Sequence, residues 1–321
     1  MHRTPGRKNL GDSLAVILAA AALCHALDGC RRAGSDEPDD GRLRVVCTTG
    51  PVADLARHVG GERVRVDALM GPGVDPHLYQ ALPADVARLN AADVVFYNGM
   101  HLEGRMADLL RRLGRRKAVF PVTDALRERH AERLRPLPGA DGEFDPHVWF
   151  DVALWAACAD FVAEKLSEVD PAHAAEYRRN AARYEAELHD LDQWCREQLA
   201  TIPEEQRVLV TAHDAFGYFG AAYEVEVHGI QGMSTADEAD LGSVNRLVDL
   251  LVTRRIQAVF VETSVSERNV RALVEACAAR GHSIRIGGHL YSDAMGPADS
   301  PAGTYPGMVR HNVNTIIKAL R

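Results

Sequence analysis

Over residues 43–122, short apolar runs alternate with stretches in which apolar positions recur every three or four residues. The runs at 43–47, 64–70, 93–97 and 118–122 predict strands, and the amphipathic stretches at 52–59, 83–90 and 102–113 predict helices. A loop rich in charge and proline leads from there to a helix over about 151–166. The alternation restarts further on, with strands at 207–211, 225–229, 258–262 and 283–286 and helices at 216–223, 241–255, 267–280 and 305–320. Strands that alternate with helices form right-handed βαβ crossovers, and those crossovers make parallel sheets.

Between the two blocks the periodicity changes. Tyr177, Ala181, Tyr184, Leu188, Leu191 and Cys195 recur at steps of four and three, which marks one long amphipathic helix ending near Ile202-Pro203. Asp170 reads as its N-cap and Pro171 as its first helical residue. The opposite face carries Arg178, Arg179, Glu185, Glu187 and Asp190. A coiled-coil seam between two copies would need a longer stripe without tyrosines, so the helix is expected to pack along its own lobes as a monomer. The expected fold is α/β, with two lobes of parallel β-sheet flanked by helices and joined by one long bridging α-helix. Its divisions are a signal peptide at 1–29, a flexible tether at 30–42, lobes at 43–167 and 202–321, and the bridge at 168–201.

Composition sharpens this in two places. A net charge of −8 over 321 residues gives no basis for nucleic-acid binding, and the basic cluster Arg111, Arg112, Arg115, Arg116 and Lys117 complements a helix end. The amino terminus reads as an export signal, with Arg3, Arg7 and Lys8 ahead of an apolar run at 14–27 that is short for a membrane span. That run ends in Leu27-Asp28-Gly29-Cys30, which resembles a lipobox and makes Cys30 the expected lipidation site. Asp28 is unusual in such a box, and a plain cleaved signal is the alternative. The acidic stretch that follows, with Asp36, Glu37, Asp39 and Asp40, suits a leash rather than a packed segment. The chain is therefore expected outside the cytoplasmic membrane, anchored as a lipoprotein or free in the periplasm. Cys47, Cys158, Cys195 and Cys277 form no CxxC pair and read as buried free thiols.

Candidate chemistry lies where the strands end. His77 follows the 64–70 strand, His147 follows 118–122, His213 sits at the end of 207–211 and Asp293 follows 283–286. Open parallel sheets bind ligands outside the carboxyl ends of their strands, so all four fall on the binding edge, two from each lobe. Three imidazoles and one carboxylate suit a divalent transition metal. The sequence Asp-Pro-His occurs twice, at 75–77 and 145–147; its proline stiffens the approach and limits what the imidazole loses on binding. Asp75 and Asp145 orient these loops or, as a lesser reading, ligate. The other histidines read as solvated or locally bonded.

These stretches carry a resemblance. Gly-Val-Asp-Pro-His-Leu-Tyr around His77, Asn98-Gly99-Met100-His101-Leu102-Glu103-Gly104, Asp-Pro-His-Val-Trp-Phe-Asp around His147, Ala-His-Asp-Ala-Phe-Gly-Tyr-Phe around His213, Phe260-Val261-Glu262-Thr263-Ser264 and Gly287-Gly288-His289-Leu290-Tyr291-Ser292-Asp293 together resemble the cluster A-I metal-binding lipoproteins. Those are the zinc- and manganese-specific solute-binding components of ABC importers. The likeness implies metal ligands at His77, His147, His213 and Asp293, and as partners a membrane permease with a separate ATPase. In that family a histidine at the third ligand position goes with zinc and a glutamate with manganese, so His213 implies Zn2+ with Mn2+ as the alternative. The long His-rich loop of many zinc members is absent, since 125–144 offers only His130. A metallohydrolase is the rival class, with Glu262 as its only general-base candidate, and a surface adhesin is a third. The chain has no GxxxxGK[ST] loop, so ATP hydrolysis belongs to a partner.

Overall fold

A computed structural model of the chain describes residues 1–2, 40–137, 139–140, 142–236 and 241–321. The leader, Cys30 and most of the tether lie outside the described residues. In the first lobe, β1 (Leu43–Cys47), β2 (Val64–Ala68), β3 (Val94–Tyr97) and β4 (Ala118–Pro121) form one all-parallel sheet in the order β2-β1-β3-β4. Successive side chains of a strand point to opposite faces, and each face here has its own core. Val45, Cys47, Val94 and Phe96 enter the large core under α1 (Gly50–Gly60), whereas Val46 and Val95 pack with Leu89 of α2 (Pro83–Ala91) and with Leu110 and Leu113 of α3 (Ala107–Gly114). Burial on both faces is why the strands read as unbroken apolar runs.

In the second lobe, β5 (Val208–His213) pairs in parallel with β6 (Glu226–Gln231), and β7 (Ala258–Glu262) with β8 (Arg285–Leu290). The strands β5 and β7 run side by side, although ladder pairing stays within each couple. They alternate in the same way: Leu209 and Phe260 face the large core, and Val208, Val210, Val259 and Val261 face a second one. The helices α8 (Gly217–Tyr223), α9 (Leu241–Arg254), α10 (Arg268–Ala279) and α11 (Tyr305–Leu320) complete the lobe.

Four further helices lie between the two blocks among the described residues: α4 (Asp124–Arg129), α5 (Val152–Ala156), α6 (Cys158–Val169) and the bridge α7 (Ala174–Leu199). The bridge is 26 residues long, about 39 Å at the helical rise. Every position of the predicted stripe, from Tyr177 to Cys195, is buried. Polar contacts pin it to both lobes. Tyr184 Oη donates to Asp54 Oδ2 (2.7 Å) and Asn180 Nδ2 to the Val59 carbonyl (3.0 Å), while Asp192 Oδ1 accepts from Tyr223 Oη (2.9 Å). The four cysteines at 47, 158, 195 and 277 are buried and unpaired.

Several boundaries differ from the sequence reading. Pro171–His173 forms a separate 3-10 turn ahead of the bridge, and Asp170 caps no backbone N–H; its Oδ2 accepts instead from Tyr177 Oη at 2.7 Å and meets the His173 ring. The helix expected at 102–113 starts late, at Ala107: Gly99, Met100 and His101 have positive φ, and Gly104–Met106 forms a separate 3-10 turn. The helix expected over 151–166 is interrupted at Ala157, and Asp124–Arg129 is helical within a stretch read as loop. The last strand runs to Leu290 rather than Ile286, through Gly287 and Gly288. Glycine is required at 287, where a Cβ would stand 2.7 Å from Ala319 Cβ and 2.9 Å from the Phe260 ring.

Candidate metal centre

Each histidine arrives by its own route. The two Asp-Pro-His segments fold into the same turn: Asp75 Oδ1 accepts from the His77 N–H at 2.9 Å, and Asp145 Oδ1 accepts from the His147 N–H at 2.9 Å. Asp145 Oδ1 also meets His147 Nδ1 at 2.8 Å, and Arg135 Nε lies 3.6 Å from the other oxygen. His213 is the last residue of β5. Its N–H and its Nδ1 are both held by Glu262, the last residue of β7, at 2.9 and 2.6 Å. Asp293 lies three residues beyond β8, where Asn312 of α11 fixes the chain by accepting from the Tyr291 N–H (2.9 Å) and donating to the Tyr291 carbonyl (2.7 Å).

These routes converge. His77, His147, His213 and Asp293 are all buried, and each offers a ligand atom within 4.8 Å of the others. His77 Nε2 is 3.3 Å from His147 Nε2, and the Asp293 oxygens lie 3.4 Å from His147 Nε2 and from His213 Nε2. Donors about 2.0–2.1 Å from a zinc ion at tetrahedral angles stand about 3.3 Å apart, so these three edges have the size such an ion requires. His213 Nε2 and both Asp293 oxygens are buried and make no well-formed hydrogen bond among the described residues. Unpaired buried polar atoms are costly, and three of them facing one point suit a cation.

The electrostatics agree. Asp293 is buried, which alone would raise its pKa, but the imidazoles of His213, His147 and His77 hold its carboxyl well below the usual range. For His147 burial favours the neutral ring, yet Asp145 and Asp293 outweigh it and lift the pKa to about 9. His213 is raised in the same way by Glu262 and Asp293. His77 has no carboxylate bonded to its ring among the described residues; burial and then the neighbouring imidazoles lower it to about 4, against the pull of Asp293. In the neutral rings of His147 and His213, Nδ1–H donates to Asp145 and Glu262, and each ring then turns an Nε2 lone pair towards the cluster, the arrangement of a metal-binding imidazole.

The sequence singles out the four residues that cluster here and leaves Glu262 and Asp145 with open roles. Sequence reasoning missed Trp149, whose Nε1 donates to the Ser292 carbonyl at 3.1 Å, and Tyr218, whose Oη donates to the Asp145 carbonyl at 3.2 Å. It also missed Asn312, although a lone polar residue in the apolar stripe Met308, Val309, Val313, Ile316 was a visible signal.

Two α/β lobes on a long helix, with buried donors gathered where strands of both lobes end, define a solute-binding protein whose solute is a metal ion. The chain matches the family described as "ZnuA: Zinc-uptake complex component A periplasmic" over residues 45–319 and belongs to it. It is a member of the metal-binding solute-binding proteins of ABC importers. It is 48% identical over 297 residues to the manganese-binding lipoprotein MntA of Bacillus subtilis, covering 92% of this chain and 95% of that one. It is 44% identical over 285 residues to the zinc-binding protein TroA of Treponema pallidum, covering 89% and 91%. The solved structure of that periplasmic zinc-binding TroA superposes with a TM-score of 0.83 at 44% identity, covering 87% of this chain and 99% of that chain. Fe(III)-bound YtgA of Chlamydia trachomatis superposes with a TM-score of 0.77 at 26% identity, covering 87% and 98%.

Proposed function

We propose that this chain captures one zinc ion outside the cytoplasmic membrane and delivers it to an ABC permease driven by a separate ATPase. The ligands are His77, His147, His213 and Asp293. The observation that carries this is the convergence of three imidazole Nε2 atoms and one ionised carboxylate in a buried cluster. Nitrogen-rich ligation suits zinc. Cys30 anchors the exported chain through a lipid, the lobes span 43–167 and 202–321 about the 168–201 bridge, and the protein works as a monomer.

Manganese is the second reading, and two observations favour it. The relative at 48% identity is named manganese-binding. Both Asp293 oxygens also face the cluster, which permits bidentate ligation and the higher coordination number that manganese accepts. Catalysis is disfavoured because four protein donors fill a tetrahedral site, whereas catalytic zinc keeps one position open. Glu262 is occupied as well, with both oxygens accepting from His213.

The deciding experiment is competitive titration of the metal-stripped chain with zinc and manganese, beside His213→Ala. One zinc per chain, lost in the variant, supports the zinc reading. A preference for manganese keeps the transport role and changes the cargo. Binding of neither ion overturns the proposal.

A further inference from the structure

The four donors are not attached to the molecule equally. His213 ends β5, and Asp293 follows β8, both in the second lobe. The His147 segment belongs by chain to the first lobe, yet three hydrogen bonds tie it to the second: Trp149 Nε1 to the Ser292 carbonyl (3.1 Å), Tyr305 Oη to the Trp149 carbonyl (2.6 Å) and Tyr218 Oη to the Asp145 carbonyl (3.2 Å). Others hold it to the first: Asn98 Nδ2 donates to the Pro146 carbonyl at 3.0 Å, the Asp145 N–H to the Arg135 carbonyl at 2.9 Å and Arg133 Nη2 to Asp151 Oδ2 at 2.7 Å. His147 is therefore fastened from both sides, and with His213 and Asp293 it forms a braced set of three.

His77 stands apart on the loop after β2. Among the described residues, a hydrogen bond between side chains links this loop to the second lobe, from Thr235 Oγ1 to Asp75 Oδ2 at 2.6 Å. The other oxygen of the same carboxylate holds the His77 N–H at 2.9 Å. Thr235, Asp75 and His77 thus form a two-link chain that ends on a donor. The loop lies close against the second lobe here, since a Cβ at Gly73 would come within 3.4 Å of the Thr263 carbonyl oxygen.

We propose that Thr235 is a positioning residue for metal retention: its hydroxyl, acting through Asp75, latches His77 onto a half-site already built from His147, His213 and Asp293. Release of the ion then begins with that loop rather than with separation of whole lobes. The inference rests on the metal-binding reading above.

The test compares Thr235→Val, which removes the hydroxyl and keeps the shape, with Thr235→Ser, which restores it. Zinc release from the loaded full chain is followed by stopped-flow capture with a strong chelator. Hydrogen exchange of the metal-free chain is followed by mass spectrometry. Loss of a hydrogen bond to a charged group predicts release about tenfold faster in Thr235→Val, association unchanged and Thr235→Ser close to the parent. Exchange over 71–79 should quicken in Thr235→Val while 145–150 stays as it was. Unchanged release, or quickened exchange over the whole molecule, overturns the latch while leaving the metal site standing. A parent chain that takes up no zinc overturns the metal reading, and the latch with it.

Discussion

At the scale of single residues, the site is a set of imidazoles whose protons are already spoken for. In the metal-free chain His147 and His213 are raised, His147 to about 9, while Asp293 stays ionised and His77 titrates only near 4. A metal takes the neutral ring, so binding at neutral pH must expel protons from His147 and His213. Log affinity for zinc should therefore rise by up to about two per pH unit across pH 5–8, with proton release visible when calorimetry is repeated in buffers of different ionisation enthalpy. A flat profile would contradict the three-histidine site. The same shift acts on stability with a definite sign. A pKa raised from 6.5 to about 9 in the fold gives stability that is complete below pH 6.5 and lost as pH rises through 9. Chemical denaturation of the metal-free chain should show that decline, and zinc should remove it. Glu262→Gln is the sharpest single change, because it leaves all four donors in place and weakens the clamp on His213. Loss of such an orienting partner costs roughly 10–100-fold in metal affinity, to be read by chelator competition; parent-like affinity would reduce Glu262 to packing. The four residues that cluster were legible in sequence because Asp-Pro-His is repeated and each of the four follows a strand. The clamps were not, because Glu262 and Trp149 meet their partners 49 and 143 residues away, and no local pattern carries that.

At the scale of elements, periodicity predicted what sterics left undisturbed. The bridge emerged with its whole stripe buried because steps of four and three have one meaning on a helix. Prediction failed where the backbone leaves ordinary geometry: at Met100 and His101, with φ of 50° and 62°, and at the glycines of the last strand, which carry no side chain to report a pattern. The bridge also has polar pins that hydropathy does not reveal. Tyr184 stacks on His58 at 4.0 Å and gives its hydroxyl to Asp54. Tyr184→Phe keeps the ring and deletes only that bond to a buried carboxylate. It should cost about 1–3 kcal/mol in urea unfolding of the metal-free chain and leave zinc affinity unchanged. An equal fall in affinity would mean instead that the helix sets the spacing of the donors.

At the scale of the molecule, the question is how much of it moves when the ion enters. The bridge is fastened to the first lobe at Tyr184 and Asn180 and to the second at Asp192, and the His147 segment is bonded to both. A wide hinge would have to break these contacts together, whereas among the described residues moving the His77 loop breaks the Thr235–Asp75 hydrogen bond and the contact of His77 with His147. Metal should therefore act on stability far more than on size. An ion present at a thousandfold over its dissociation constant adds about 4 kcal/mol to the folded state, on the order of 10 °C in Tm for a chain of this length. Small-angle scattering of the same two samples should give the same radius of gyration. Either half alone is ambiguous, since any tight ligand raises Tm and a protein that binds nothing also keeps its radius. Together they separate capture by one loop from closure of two lobes. A metal-induced contraction would show that the lobes themselves close on the ion and that the pins on the bridge yield.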